Sequence, residues 1–256
     1  MLLGIDFPPI SHAIEWPAIF GGDDSWFAVN KVVLLMWISA AIVFVVLFAA
    51  GRKQALVPRG IQNVGESAVD FIRNGVILET MGPDGLGYTP FLLMMFCFVL
   101  VGNLWEIIPA VQMPVNARIA LPAFQAMVVF VLYWAVGFIK QGPLKYLKNS
   151  TVPPGVPKPI LLLVVPIEFI GILITRPLSL AVRLFANMLA GHLLLTAFAV
   201  ITAAVWGLSL TLVIWPFSFG LLVALTGFEV LVAFLQAFIF TILTAVYIGQ
   251  SMHPDH

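Results

Sequence analysis

Two apolar tracts near the C-terminal end, about residues 160–206 and 209–250, constrain this chain more than anything else in it. At 1.5 Å of rise per residue they make helices of ~70 Å and ~60 Å, against a bilayer hydrocarbon core of ~30 Å. A continuous ~60 Å helix confined to that slab tilts by ~60°, beyond the usual range of about 0–40°. Pro166, Pro177 and Pro216 offer the alternative, a break or bend in each tract. If the helices persist, they form a strongly tilted hairpin, which suits a curved partner better than a simple bundle. Composition agrees with a membrane setting: 61% of the 256 residues are hydrophobic and 9% charged, where a soluble domain carries about a quarter charged residues.

The rest of the chain reads as an all-α polytopic membrane protein forming a single membrane domain over residues 1–256. A first span covers 27–50 and stops at Gly51-Arg52-Lys53. Residues 59–80 differ: Ile61, Val64, Ala68, Phe71, Ile72 and Val76 recur at helical spacing, with Glu66, Asp70 and Arg73 elsewhere on the wheel. That pattern predicts an amphipathic helix lying in the interface. The turn MGPDGLG leads to a second span over 88–108, and a third covers 120–140. A Pro-rich basic linker then reaches the hairpin, for five crossings in all. Arg52, Lys53, Arg59 and Arg73 follow the first span and Lys140, Lys145, Lys148 and Lys158 the third, with Lys31 and Arg118 opposite. The basic excess marks the cytoplasmic side, so the N-terminus is outside and the C-terminus inside. The N-terminus lacks the basic and apolar regions of a cleaved signal peptide. Zero formal net charge gives no argument for nucleic acid, and the single cysteine, Cys97, supplies neither a disulfide framework nor a thiolate metal site.

Most of the charge inside the apolar tracts sits in the last two: Glu168, Arg176, Arg183, His192 and Glu229, with Glu106 in GNLWEIIP as the exception. Ionisable groups at membrane depth cost ~2.5–3.5 kcal/mol each for Arg, Lys or Asp and usually line an ion or substrate path. At ~100° per residue, Asn187 shares a face with Arg183, and Glu229 shares one with Gln236. Antiparallel helices joined by a turn near 208, at WGLS, bring Arg183 level with Gln236 and His192 level with Glu229, within one helical turn. A His–Glu couple can exchange protons near neutral pH, because burial raises the carboxyl pKa while mutual attraction favours the charged pair. Arginine stays protonated and holds a fixed charge.

Plainer readings exist for most of these residues. His192 serves equally as an interhelical hydrogen-bond donor. Glu106, near a span end, reads on position alone as an ordinary interfacial carboxylate. Arg176 reads as snorkelling to the cytoplasmic interface, with Glu168, two turns earlier, as its ion-pair partner. Asn103 reads as helix-packing glue. Arg183 resists such an account, lying seven residues deeper than Arg176 with no carboxylate beside it in sequence.

RPLSLAVRLFANMLAGH followed by FEVLVAFLQAFIFTILTAVYI, with GNLWEIIP upstream, closely resembles the signature of subunit a, the stator ion-channel subunit of bacterial F-type ATP synthases. The resemblance implies a chain packed against a ring of small hairpin subunits (c), each bearing a membrane carboxylate, beside a peripheral-stalk subunit b and the remaining synthase subunits. Arg183 matches the family's essential arginine, which faces that carboxylate and separates two aqueous half-channels. Asn187 and Gln236 match its polar neighbours, His192 and Glu229 the outer half-channel positions, and Asn103 and Glu106 polar residues of the same channel. Asn116, in PVNARIALP, and Glu168 match less sharply patterned positions, the latter near the cytoplasmic half-channel. The implied role is non-catalytic proton translocation in the bacterial cell membrane with no cofactor. The chain has no G-x-x-x-x-G-K-[ST] phosphate loop, so ATP chemistry lies elsewhere. The alternative is a secondary transporter or antiporter acting alone, which would show inverted repeats and broken helices, and no repeat is evident. A structural scaffold would not require Arg183, His192 and Glu229 at matched depths.

Overall fold

A computed structural model describes residues 19–21, 29–52, 55, 57–108, 111, 113–152, 156–206 and 214–253. Among them the chain is helical, with no strand and one isolated antiparallel bridge between Phe20 and Val29. The helices are α1 (Lys31–Arg52), α2 (Ile61–Ile72), α3 (Thr89–Leu104), α4 (Ala120–Gln141), α5 (Pro143–Thr151), α6 (Lys158–Ile170), α7 (Arg176–Trp206) and α8 (Trp215–Met252). A π-helical turn, Arg73–Ile77, and a short α turn, Leu78–Thr80, extend α2; another π turn, Gly171–Thr175, joins α6 to α7. Among the described residues five helical runs are long and apolar enough to cross a membrane: Lys31–Arg52, Pro83–Leu104, Ala120–Gln141, Pro159–Trp206 and Trp215–Met252. Helices satisfy every backbone group internally, as hydrocarbon requires. The exterior is correspondingly apolar: Leu162 is 85% and Ile139 82% exposed, positions that water would penalise and lipid does not.

The prolines do not break the long tract, and the 48 residues from Pro159 to Trp206 form one helical run. Pro166 lies inside α6. Pro177 lies two residues past the π turn, and a proline ring strikes the carbonyl four residues earlier, here Leu173. The widened π turn sits at that carbonyl and takes up the misfit. Pro216 is second in α8, where a missing N–H costs nothing.

The chain divides into two compact units. The first takes residues up to Ile42, Phe98–Arg118 and Phe185–Ala237. In it Asn30 Oδ1 caps α1 by accepting from Val33 N at 3.1 Å. Trp105 Nε1 donates to Ser39 Oγ at 2.7 Å, and Lys31 Nζ to the Val111 carbonyl at 2.8 Å. Thr202 and Ser218 hydroxyls meet at 2.8 Å between α7 and α8, and Trp206 packs edge-on to Trp215. The expected turn at WGLS falls, past Trp206, outside the described residues.

The second unit takes Val43–Cys97, Ile119–Leu184 and Phe238 onward. Small residues let its helices approach: a Cβ on Gly65 would meet the Ala50 Cβ, and one on Gly137 the Tyr146 ring. Gly142, at φ 82°, makes the tight corner between α4 and α5. Gln141 Nε2 donates to the Ser251 carbonyl at 3.0 Å, anchoring the last turn of α8. On α2 the apolar stripe is wider than the packed face. Ile72, Val76 and Ile77 are buried, whereas Ile61 and Val64 face outward with Glu66, Asp70 and Arg73.

Candidate functional site

The site assembles in the first unit where α3 ends. The α-helix stops at Leu104, and Glu106 and Ile107 continue in a tight turn, their N–H groups donating to the Asn103 and Leu104 carbonyls. Glu106 is therefore not an interfacial carboxylate on an exposed span end, as position alone had it: it is 4% exposed. A 3₁₀ turn, Val115–Ala117, carries Asn116 under Gly102, where its Nδ2 donates to Asn103 Oδ1 at 2.7 Å. A Cβ on Gly102 would lie 3.2 Å from Asn116 Nδ2, so glycine keeps the approach open. Asn103 Nδ2 in turn donates to the Ala233 carbonyl of α8 at 3.3 Å. Asn103 thus does hold helices together, and Asn116 is tied to it.

His192 enters from α7. Its Nδ1 lies 4.0 Å from Glu106 Oε1, both groups buried. That is beyond a direct hydrogen bond and within the span of one bridging water. Glu229 comes from α8, 5% exposed, with its carboxylate against Gly191. A Cβ at 191 would sit 2.6 Å from Glu229 Oε2 and 2.8 Å from Oε1, so the neighbour of His192 must be glycine for the carboxylate to occupy this place. Glu106 Oε1 and Glu229 Oε2 are buried without a protein hydrogen-bond partner among the described residues. Such oxygens call for a proton or a water.

A cavity of about 510 Å³ opens onto Glu106 and His192, lined also by Thr196, Ala199, Ala203 and Thr226 among others. The α7 members recur at four-, seven- and eleven-residue spacing from His192, one stripe of the helix. Alanines at 199 and 203 leave room where larger side chains would close the space. One level further along, Asn187 Nδ2 donates to Gln236 Oε1 at 2.7 Å, with Gln236 2% exposed. The Asn187–Gln236, Gly191–Glu229 and Thr202–Ser218 contacts set α7 and α8 antiparallel, within about one helical turn of the expected register. The Gln236 amide is thus held by Asn187, while His192 stands 4.0 Å from Glu106 and Glu229 lies against the adjoining Gly191.

Arg183 and Glu168 belong to the second unit. Arg183 is exposed on α7, off the face on which Leu180, Ala181 and Leu184 are buried, and no carboxylate lies within ion-pair distance of it among the described residues. Glu168 is half-buried in α6. The expected Glu168–Arg176 ion pair is absent among the described residues: two turns separate these residues by ~12 Å, and the Arg176 guanidinium instead lies over the Tyr247 ring, 5.3 Å from its centroid.

The family profile described as ATP synthase A chain matches residues 33–249. The curated ATP synthase subunit a of Frankia alni is 45% identical over 234 residues, covering 89% of this chain and 79% of the relative. That of Nocardioides is 37% identical over 263 residues, covering 97% and 94%, and that of Rhodopseudomonas palustris is 42% identical over 224, covering 86% and 87%.

The chain belongs to the ATP synthase A chain family. It is a multi-pass membrane protein of the synthase's membrane sector. Within this family member, sequence reasoning passed over Gly191, Thr196, Ala199, Ala203 and Thr226. The signal for Gly191 was present, a glycine beside a histidine inside an apolar helix. The others look like ordinary lipid-phase residues until the cavity they line is seen.

Proposed function

We propose that this chain is the proton-translocating stator subunit of an F-type ATP synthase in a bacterial cell membrane, and that the Glu106–His192–Glu229 cluster is its outer proton relay. The observation that carries this reading is the burial of two carboxylates and an imidazole, two of them, Glu106 and His192, lining one cavity, with one oxygen on each carboxylate unsatisfied among the described residues. Protons enter through the cavity, pass Glu106 and His192 to Glu229, and reach a carboxylate of the rotor ring near Asn187 and Gln236. Asn103 and Asn116 hold the Glu106 turn in place. Once neutral, the ring carboxylate can turn through lipid, where its ionised form would be prohibitively costly. After nearly a full turn it loses its proton to a cytoplasmic path that includes Glu168, and is drawn to Arg183 as an anion. A charge crossing the whole potential contributes about 2.3 kcal/mol per 100 mV. ATP chemistry takes place on other subunits, and the peripheral stalk holds this one against the turning ring. The ~70 Å and ~57 Å lengths of the 158–206 and 215–252 runs support a tilted hairpin lying along the ring.

The test is the rate of ATP-driven proton pumping in inverted vesicles. Glu106→Gln keeps an amide donor but cannot take up or release a proton. It is expected to lower the rate at least tenfold with the complex still assembled. A rate equal to that of the unaltered protein would remove Glu106 from the path.

The amphipathic helix α2 is placed by the same reading in the cytoplasmic interface, with the N-terminus outside and the C-terminus inside. Cysteines at Glu66 and Asp70, both exposed, are expected to react with a membrane-impermeant maleimide from the cytoplasmic side only. Labelling from the opposite side would reverse the orientation.

A further inference from the structure

The π turn ahead of Arg183 leaves one backbone group without a helical partner. In an α-helix the Ile172 carbonyl would accept from Arg176 N–H, four residues on. Here Arg176 N–H goes to the Gly171 carbonyl, five residues back. In that register the donor due to Ile172 is residue 177, which is proline and has no N–H. Ile172 is 3% exposed, so water does not reach the orphan readily. Tyr133 supplies the missing donor: its hydroxyl, from α4, donates to the Ile172 carbonyl at 2.7 Å. Tyr133 is fully buried, and its ring is held edge-on by Phe130 at 5.5 Å and Tyr247 at 6.0 Å. Tyr247 also carries the Arg176 guanidinium on its face.

Were the turn to close into regular α-helix, Arg176 N–H would return to Ile172, and Pro177 would orphan Leu173 instead. The Tyr133 hydroxyl therefore distinguishes the two registers, and they differ downstream. A π turn takes up one extra residue, which swings everything after it by ~100° relative to an unbroken α-helix. Arg183 follows the turn by two helical turns. We infer that Tyr133 is a positioning residue: its hydrogen bond to Ile172 holds the Gly171–Thr175 π turn and, through it, the direction in which Arg183 points. The functional half of this inference rests on Arg183 acting on the rotor carboxylate; the structural half does not.

The experiment uses the whole synthase in reconstituted vesicles. Tyr133→Phe removes one oxygen and keeps the ring packing. It leaves a buried carbonyl unpaired, and a lost hydrogen bond of this kind redistributes the helix by about tenfold towards other registers. Co-purification of the complex is expected to be normal, ATP-driven pumping to fall about tenfold, and the cryomicroscopy map of the variant to have lost the π turn at 171–175. Adding Pro177→Ala removes the ring that the π turn accommodates and gives residue 177 an N–H for the Leu173 carbonyl, so the double variant is expected to settle into regular α-helix, to assemble, and to pump no better than Tyr133→Phe. A residue that only filled space would leave the π turn in place in Tyr133→Phe. If Tyr133→Phe impairs assembly, the double variant, whose carbonyls all find partners in the regular helix, is expected to restore assembly without restoring pumping. An unchanged π turn in Tyr133→Phe, or near-normal pumping by a double variant whose 171–175 segment is regular α-helix, would overturn the inference. Should Arg183→Ala prove harmless, the functional reading would fail, while the maps would still decide what Tyr133 holds.

Discussion

Replacing Arg183 with alanine is expected to leave the complex assembled, abolish proton-driven ATP synthesis and make vesicles passively permeable to protons. The reasoning is electrostatic. Arg183 is exposed on α7 with no carboxylate of its own chain in ion-pair range among the described residues, so its charge is available to a partner. A guanidinium ~4 Å from a carboxylate contributes about 4 kcal/mol at an effective dielectric of about 20, enough for two to three orders of magnitude in a rate. The same charge repels a proton seeking a direct route from the outer path to the inner one. Lysine conserves the charge, but loses the planar fork and deprotonates when desolvated. Arg183→Lys is therefore expected to abolish synthesis as well. ATP synthesis and passive proton flux in reconstituted vesicles, with co-purification as the assembly control, measure all of this. Near-normal synthesis by Arg183→Ala would make the arginine a packing residue.

Gly191→Val is expected to be nearly as damaging. The Glu229 carboxylate occupies the space in which any side chain at 191 would begin, with Oε2 2.6 Å from the Cβ position. Alanine displaces it by ~0.8 Å if ordinary contact of about 3.4 Å is restored, and a misplacement of about 1 Å costs up to a hundredfold in a reaction that depends on near contact. Gly191→Ala is thus expected to slow ATP-driven pumping by about tenfold to a hundredfold, and valine to stop it. Glu229→Asp in the alanine background withdraws the carboxylate by about one methylene, and is expected to recover part of the rate. Fluorescence quenching by vesicle acidification reads each variant. Full activity in Gly191→Val would show that Glu229 need not lie where it does.

Sequence alone determined the helical, membrane-spanning character of the chain, because hydrocarbon leaves a long apolar segment no other way to satisfy its backbone. It also determined which stretches of α7 and α8 lie level. Once two helices are antiparallel, their rise and the position of the turn dictate the pairing, and the Asn187–Gln236 and Gly191–Glu229 contacts follow within one helical turn. The family signature around Arg183 was readable in the same way, as a local string.

What only the tertiary structure decided depends on contacts between residues far apart in sequence. Glu106 is buried beside His192 of α7, and Asn116 meets Asn103 from 13 residues away; periodicity carries no trace of either contact. Arg176 rests on Tyr247 rather than pairing with Glu168. The helix survives Pro177 because a π turn absorbs its ring and a hydroxyl from α4, 39 residues before Ile172, replaces the donor it lacks. A proline's local effect can be read from sequence, but whether a distant side chain compensates for it cannot, since burial and hydrogen bonding are properties of the packed chain.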